Sequence, residues 1–296
     1  MGEWRETYRG LVHPWECDMV EHFTVAYYFD RFSDAVLGMM ESIGLGVSYM
    51  GESGRGCATV DCYVRYLEEL RAGDTLHIES AVIGADDKRF TLGHKVYNSA
   101  SGDCVATLEQ RLLHFDMKKR KALPFAEAQR RQIEALVTAW DGEPRQPRHS
   151  PESDDGFAPS ARDTVKPWEV DVLGHMGFQF FVHRFTAAAM QTMTRIGLSQ
   201  RYMNEHRRGF STFEFQLRFL RELSAGDLLE VRTGLMHLGG SSMRMLHRLF
   251  NQRTGELSAE LSQYGVLLDT DARRPAKLPE HARELAAGLV IGEPAP

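Results

Sequence analysis

The chain has 296 residues, 43% of them hydrophobic and 26% charged, with a formal charge of −6. That is ordinary globular composition at a length suited to about two domains. The negative balance excludes a general nucleic-acid binder, and no apolar run reaches the ~18 residues that a membrane span needs.

Read in order, Trp4 to His13 is expected as a short first strand, and Pro14 to His22 as a turn or loop. From Thr24 to Ile43 the residues Tyr28, Phe32, Ala35, Val36, Met39 and Ile43 recur at helical spacing, with Thr24 as N-cap and Gly44 as stop. Val25, Tyr27, Phe29 and Met40 make this helix apolar on most faces, so it is predicted to be buried. Strand-like runs follow at 57–66, 75–83, 89–97 and 105–115, separated by Gly- and Asp-containing turns. A second helix is expected over 124–140. The stretch 141–160, rich in Pro, Asp, Glu and Ser, reads as a linker.

The plan then repeats. Pro14-Trp15-Glu16-Cys17-Asp18-Met19-Val20-Glu21-His22 returns 153 positions later as Pro167-Trp168-Glu169-Val170-Asp171-Val172-Leu173-Gly174-His175. Between residues 14 and 45 there are 12 identities in 32 positions at this offset. Farther on, Arg65, Glu69, Asp74, His94, Asn98 and Asp116 match Arg218, Glu222, Asp227, His247, Asn251 and Asp269. A period this long is a duplicated domain and not a repeat array. The expected division is 1–122 as the first domain, 123–160 as helix and linker, and 161–296 as the second domain. The second copy has a strand leading to Val165, a helix near 178–196, and strands near 210–219, 228–236, 243–250 and 257–268. Gly288 to Pro296 is expected to fray. The fold class is α+β: in each half a long buried helix is wrapped by an antiparallel sheet.

The four cysteines (Cys17, Cys57, Cys62, Cys104) lack CxxC spacing, and no HxxxH or HExxH pair occurs. Buried free thiols in a reducing compartment, and no metal site, are therefore expected. The polar start is not read as a signal peptide, so the expected location is cytoplasmic.

The loop Asp171-Val-Leu-Gly174-His175-Met176, its variant Asp18-Met-Val-Glu21-His22-Phe23, and the aromatic helices after them resemble the hotdog-fold acyl-CoA thioesterases. The closer likeness is to the 4-hydroxybenzoyl-CoA thioesterase-like branch. Arg65-Tyr-Leu-Glu-Glu-Leu and Leu112-Leu-His-Phe-Asp-Met117 are similar to a subgroup that includes betainyl-CoA thioesterases. The resemblance implies two tandem hotdogs paired as a pseudo-dimer, with active sites at the seam. It implies hydrolysis of a CoA thioester, with CoA as part of the substrate and no other cofactor. No nucleic-acid or membrane partner is implied, and a homo-oligomer of such chains stays open. Asp18 and Asp171 would be nucleophile or general base. His22 and His175 would orient the acid or stabilise the thioester oxygen, with Glu21 as an extra carboxylate. Thr24, Gly174, Gly177, Trp15 and Trp168 would meet the substrate, and amides at the helix N-terminus would form the oxyanion hole. Lys88, Arg89, Arg207 and Arg208 are candidate partners of the CoA phosphates. The rival expectations are an enoyl-CoA hydratase or dehydratase, and an inactive acyl-CoA-binding protein. For single residues the rivals are plainer: the Asp as a helix cap, His22 and His175 as structural hydrogen-bond donors, Glu21 and the four basic residues as solvated loop charges, the tryptophans as core, His94 and His247 as satisfied core groups.

Overall fold

A computed structural model describes residues 3–291. The first half runs β1 (Arg5–Leu11), α1 (Val25–Ser42), α2 (Val47–Ser53), β2 (Arg55–Tyr66), β3 (Thr75–Ala85), β4 (Arg89–Asn98), β5 (Cys104–Asp116), β6 (Lys121–Ala122) and α3 (Glu127–Ala135). The second half repeats it as β7 (Ala158–Thr164), α4 (Phe178–Arg195), α5 (Gln200–Glu205), β8 (Arg208–Phe219), β9 (Leu228–Leu238), β10 (Ser242–Asn251), β11 (Leu257–Asp269), β12 (Arg274–Pro275) and α6 (Glu280–Ala287). The 153-residue offset persists to the last helix, since Glu127 and Glu280 each open one. Among the described residues no helix is long and apolar enough to cross a membrane.

All twelve strands join one antiparallel sheet, whose main path is β1-β3-β4-β5-β2-β8-β11-β10-β9-β7. The halves meet where β2 pairs with β8: Asp61 faces Arg218, Tyr63 faces Gln216 and Arg65 faces Glu214. Positions 61 and 65 correspond to 214 and 218 under the offset, so the seam is isologous in pattern, with Tyr63 and Gln216 on its pseudo-dyad. The two long helices lie side by side beneath it. Phe29 of α1 sits edge-on to Phe178 of α4 at 5.9 Å and tilts against Phe215 of β8 at 6.3 Å. One hydrophobic cluster takes residues from both helices and both halves of the sheet. Each fully buried Phe there contributes roughly 1.5–3 kcal/mol, so the halves share their stabilisation.

The segment between the halves differs from a plain linker. The expected helix over 124–140 is shorter, Glu127–Ala135. Beyond it the chain crosses the outer face of the sheet as a strap, meeting the strands in their spatial order. The Thr138 amide donates to Val82 on β3, and Trp140 donates to Glu109 on β5. Arg65 pairs with Glu143, and Asp61 with Arg145 at the seam. Arg148 then holds Glu214 on β8, Ser150 donates to Glu260 on β11, and Asp154 takes Arg248 on β10. Charged residues on an outer sheet face usually look to solvent; here the strap supplies their partners. The far end of the chain also departs from expectation. The Ile291 amide donates to Leu235, and Val290 bridges Leu235, so the tail docks on β9 up to that point. Residues 292–296 lie outside the described part. Only Cys62 of the four thiols is fully buried; Cys17, Cys57 and Cys104 are half-buried, and all four are free.

Candidate active site

Each Pro-Trp-Glu is a single 3-10 turn (Pro14–Glu16, Pro167–Glu169) that points its Glu inward. Glu169 accepts the Lys166 amide at 2.8 Å and takes both terminal nitrogens of Arg184, at 2.7 and 2.6 Å. Glu16 accepts the His13 amide at 2.9 Å and one terminal nitrogen of Arg31. Turning Glu inward turns Trp outward. Trp15 is 69% exposed and Trp168 76%, so they are neither core nor pocket lining, contrary to both expectations.

The loop that follows is folded around its aspartate. One oxygen of Asp171, Oδ1, accepts the amides of Leu173 at 2.8 Å and His175 at 3.3 Å. Asp18 Oδ1 accepts those of Val20 at 2.9 Å and His22 at 3.0 Å. The cap role is therefore real, but it uses one oxygen, and Oδ2 has no hydrogen bond among the described residues. The tight turn puts the next position in the left-handed region, where Gly174 has φ +83 and Glu21 φ +65. Glycine is suited to that slot and Glu is strained in it. Gly174 thus serves the backbone and does not line the cleft. Glu21 is 85% exposed, lies 3.6 Å from Arg71, and its carboxylate does not reach the cleft. That removes the expected extra acid beside Asp18. Thr24 and Gly177 do line the clefts and occupy the N-cap positions, without side-chain capping bonds.

Past the aspartate each loop carries a buried or half-buried imidazole in a chain of charges. His22 Nε2 lies 3.1 Å from Glu69, and His175 Nε2 lies 3.3 Å from Glu222. Glu69 pairs with Arg273, and Glu222 with Arg120. Both arginines come from the opposite domain, from left-handed positions in the turns after β11 and β5. Burial, then the charges of Arg273 and Arg71, push the His22 imidazole down to about 4. Burial and Arg120 also lower His175. At neutral pH both rings are neutral, each with Nε2 turned towards its glutamate, and His22 Nε2 also lies 3.4 Å from an Arg273 nitrogen, which can only donate. Asp18 is open to the solvent of its cleft but packed by protein on its other sides. That desolvation raises its carboxyl, opposed by the His22 and Val20 amides. Sequence reasoning missed Glu69, Glu222, Arg120 and Arg273 as site residues. All four are identical at the 153-residue offset, which was the available signal.

Each loop opens on a cleft walled by the other domain. The Asp171 cleft, about 490 Å³, is lined by Asp171, His175, Gly177, Phe178 and Phe181, and across the seam by Val36, Leu37 and Met40 of α1 and Cys57 to Val60 of β2. The Asp18 cleft, about 780 Å³, is its counterpart, with Thr186, Ala189, Met190 and Met193 of α4 and Gly209 to Phe213 of β8. At the mouth, Val25 on α1, and Phe178 and Gln179 on α4, have backbone N–H groups without acceptors among the described residues. The clefts differ in polarity. Tyr28 and Tyr66 stand in the Asp18 cleft where Phe181 and Phe219 stand in the Asp171 cleft. The remaining candidates lie elsewhere. Arg207 and Arg208 are paired with Asp271 and Asp269, and Arg89 is 3.9 Å from Asp86. His94 and His247 are fully buried beneath the sheet.

A betainyl-CoA thioesterase of Pseudomonas aeruginosa is 32% identical over 133 residues, 45% of this chain and 84% of that one. An L-carnitine dehydrogenase/betainyl-CoA thioesterase of Rhizobium meliloti is 33% identical over 103 residues; the match spans only 21% of that longer protein. An acyl-ACP thioesterase structure from Bacteroides thetaiotaomicron superposes with a TM-score of 0.69 at 12% identity, over 87% of this chain and 96% of that one, which supports the doubled fold alone. The model of the thioesterase-like superfamily matches twice, over residues 12–133 and 165–285, so the chain belongs to that superfamily, once in each half.

Proposed function

We propose that the protein hydrolyses acyl-CoA thioesters at the two seam clefts. The observation that carries this is the pairing, in both copies, of an aspartate with one free oxygen and a helix start with unpaired amides at the mouth of a cleft. Asp171 and Asp18 would attack the thioester carbon directly or take a proton from the attacking water. The amides of Phe178 and Gln179 in one cleft, and of Val25 in the other, would hold the oxygen as it gains charge, helped by the helix dipole. The neutral His175 and His22 would fix the loop by tying it to the Glu222–Arg120 and Glu69–Arg273 pairs. The substrate brings CoA with it, and no further cofactor takes part. Such chemistry fits the cytoplasm, where CoA esters are made. The apolar Asp171 cleft suits an alkyl acyl group. A cationic acyl head, such as the betainyl group named for the relatives, would sit better against Tyr28 and Tyr66 of the Asp18 cleft.

The test is thiol release from a panel of acyl-CoAs, betainyl-CoA included. Asp171→Asn and Asp18→Asn should each lower kcat in their own cleft by roughly 10²-fold or more. No release from any ester, or release that survives the double substitution, would overturn the reading. Hydration of an enoyl-CoA without thiol release would favour the hydratase instead.

A further inference from the structure

Beneath each half of the sheet runs a line of buried polar side chains that the hydrolysis just described does not use. In the second half, Ser160 and Thr233 hydroxyls lie 2.7 Å apart, and Thr233 lies 2.7 Å from His247 Nδ1. His247 Nε2 is 3.2 Å from Gln263 Oε1, and Gln263 Nε2 donates to Thr212 at 2.7 Å. The first half has the same line at the same offset. Thr7, Ser80 and His94 Nδ1 are linked by two contacts of 2.6 Å, and Gln110 Nε2 donates to Thr59 at 2.7 Å. There His94 Nε2 and Gln110 Oε1 have no other partner and face one another. Both lines start on the outermost strand, cross four more, and end on a threonine in a cleft wall: Thr59 in the Asp171 cleft, Thr212 in the Asp18 cleft. Each thus enters the cleft from the wall opposite the aspartate's own domain.

Polar groups buried this deeply are costly unless every member is satisfied in one direction. The amide orientation sets that direction, and it is the same in both copies. Gln Nε2 gives its hydrogen to the threonine, and Gln Oε1 takes one from the imidazole Nε2–H. Imidazole Nδ1 takes one from the hydroxyl behind it. The threonine oxygen, already an acceptor from Gln, then turns its own O–H outward.

We propose that Thr59 and Thr212 are substrate-facing hydroxyls whose O–H these relays leave free to donate, each hydrogen-bonding the thioester carbonyl oxygen alongside the helix amides of the opposite domain. This rests on the hydrolase reading. It makes the two threonines catalytic residues, and Gln110, His94, Gln263 and His247 positioning residues.

Because two clefts are present, each relay is read with the other cleft silenced: Thr59→Val in the Asp18→Asn background, Thr212→Val in the Asp171→Asn background. Octanoyl-CoA is the probe, with acetyl-CoA beside it. In each background that turns over, kcat should fall roughly 10²-fold with KM nearly unchanged, as for loss of one oxyanion donor. The Thr→Ser variant should restore it. Gln110→Glu and Gln263→Glu keep the shape but supply only an acceptor, so the threonine gives its hydrogen to the new carboxylate. Each should cost as much as its Thr→Val partner, and the two together should cost no more than either. A purely structural line would show a lower melting temperature with kcat intact, or additive losses, and either outcome sinks the relay. If the Gln→Glu variants keep full activity, the line runs the other way and the proposal is wrong. Absence of thiol release by the unmodified protein would instead sink the hydrolase reading itself.

Discussion

At the scale of single residues, the loop copies expose a cost carried by one of them. Glu21 occupies the left-handed slot that Gly174 fills in the other copy. Glu21→Gly should raise stability by about 1 kcal/mol, offset in part by the freer unfolded chain, and a rise in thermal midpoint by calorimetry checks it. The imidazoles set a pH dependence. His22, His94 and His247 are each held at about 4 by burial, below the ordinary 6.5. Between those values the unfolded chain binds protons that the folded chain refuses, so stability falls as pH drops from 6.5 towards 4. Urea unfolding over that window should show a slope approaching three protons, and His247→Gln should reduce it by about one. How legible these residues were varies. The aspartates could be read from the repeat, whereas the left-handed turn could not, since its slot holds Glu21 in one copy and Gly174 in the other. The glutamate–arginine partners could not be placed, because Arg273 lies 251 residues from His22 and reaches it only across the seam.

At the scale of elements, the Pro-Trp-Glu turn shows where sequence reading fails. Residue type favoured a buried Trp, yet the geometry of one 3-10 turn buries the Glu and gives it the long helix's arginine as partner. Arg184→Met would leave Glu169 charged, buried and unpaired, and should cost about 3–5 kcal/mol in urea denaturation. The double change Glu169→Met with Arg184→Met should recover most of that loss. The long helices and the main strands were legible because their apolar periods are strong and occur twice. The short helices α2, α5 and α6 were not, since few of their residues are buried. The strap was missed for a related reason: its polar composition reads as solvated, while its partners are charges on an outer sheet face that no period reveals.

At the scale of the whole molecule, the strap and the seam hold the halves in different ways. Cleaving the strap near Pro147 should leave the halves together in gel filtration, because β2–β8 pairing and the shared core persist. Their melting should then become concentration-dependent. The tether itself has a wider consequence. Two separate copies related by a true dyad must place the same residue against itself and carry identical pockets. A covalent connection fixes a one-to-one ratio and raises the effective concentration of each half for the other to the millimolar range, so mutual recognition no longer has to be strong or self-matching. Tyr63 opposite Gln216, and tyrosines in one chamber where phenylalanines line its twin, are what that freedom permits: two chambers able to diverge within a single inherited unit.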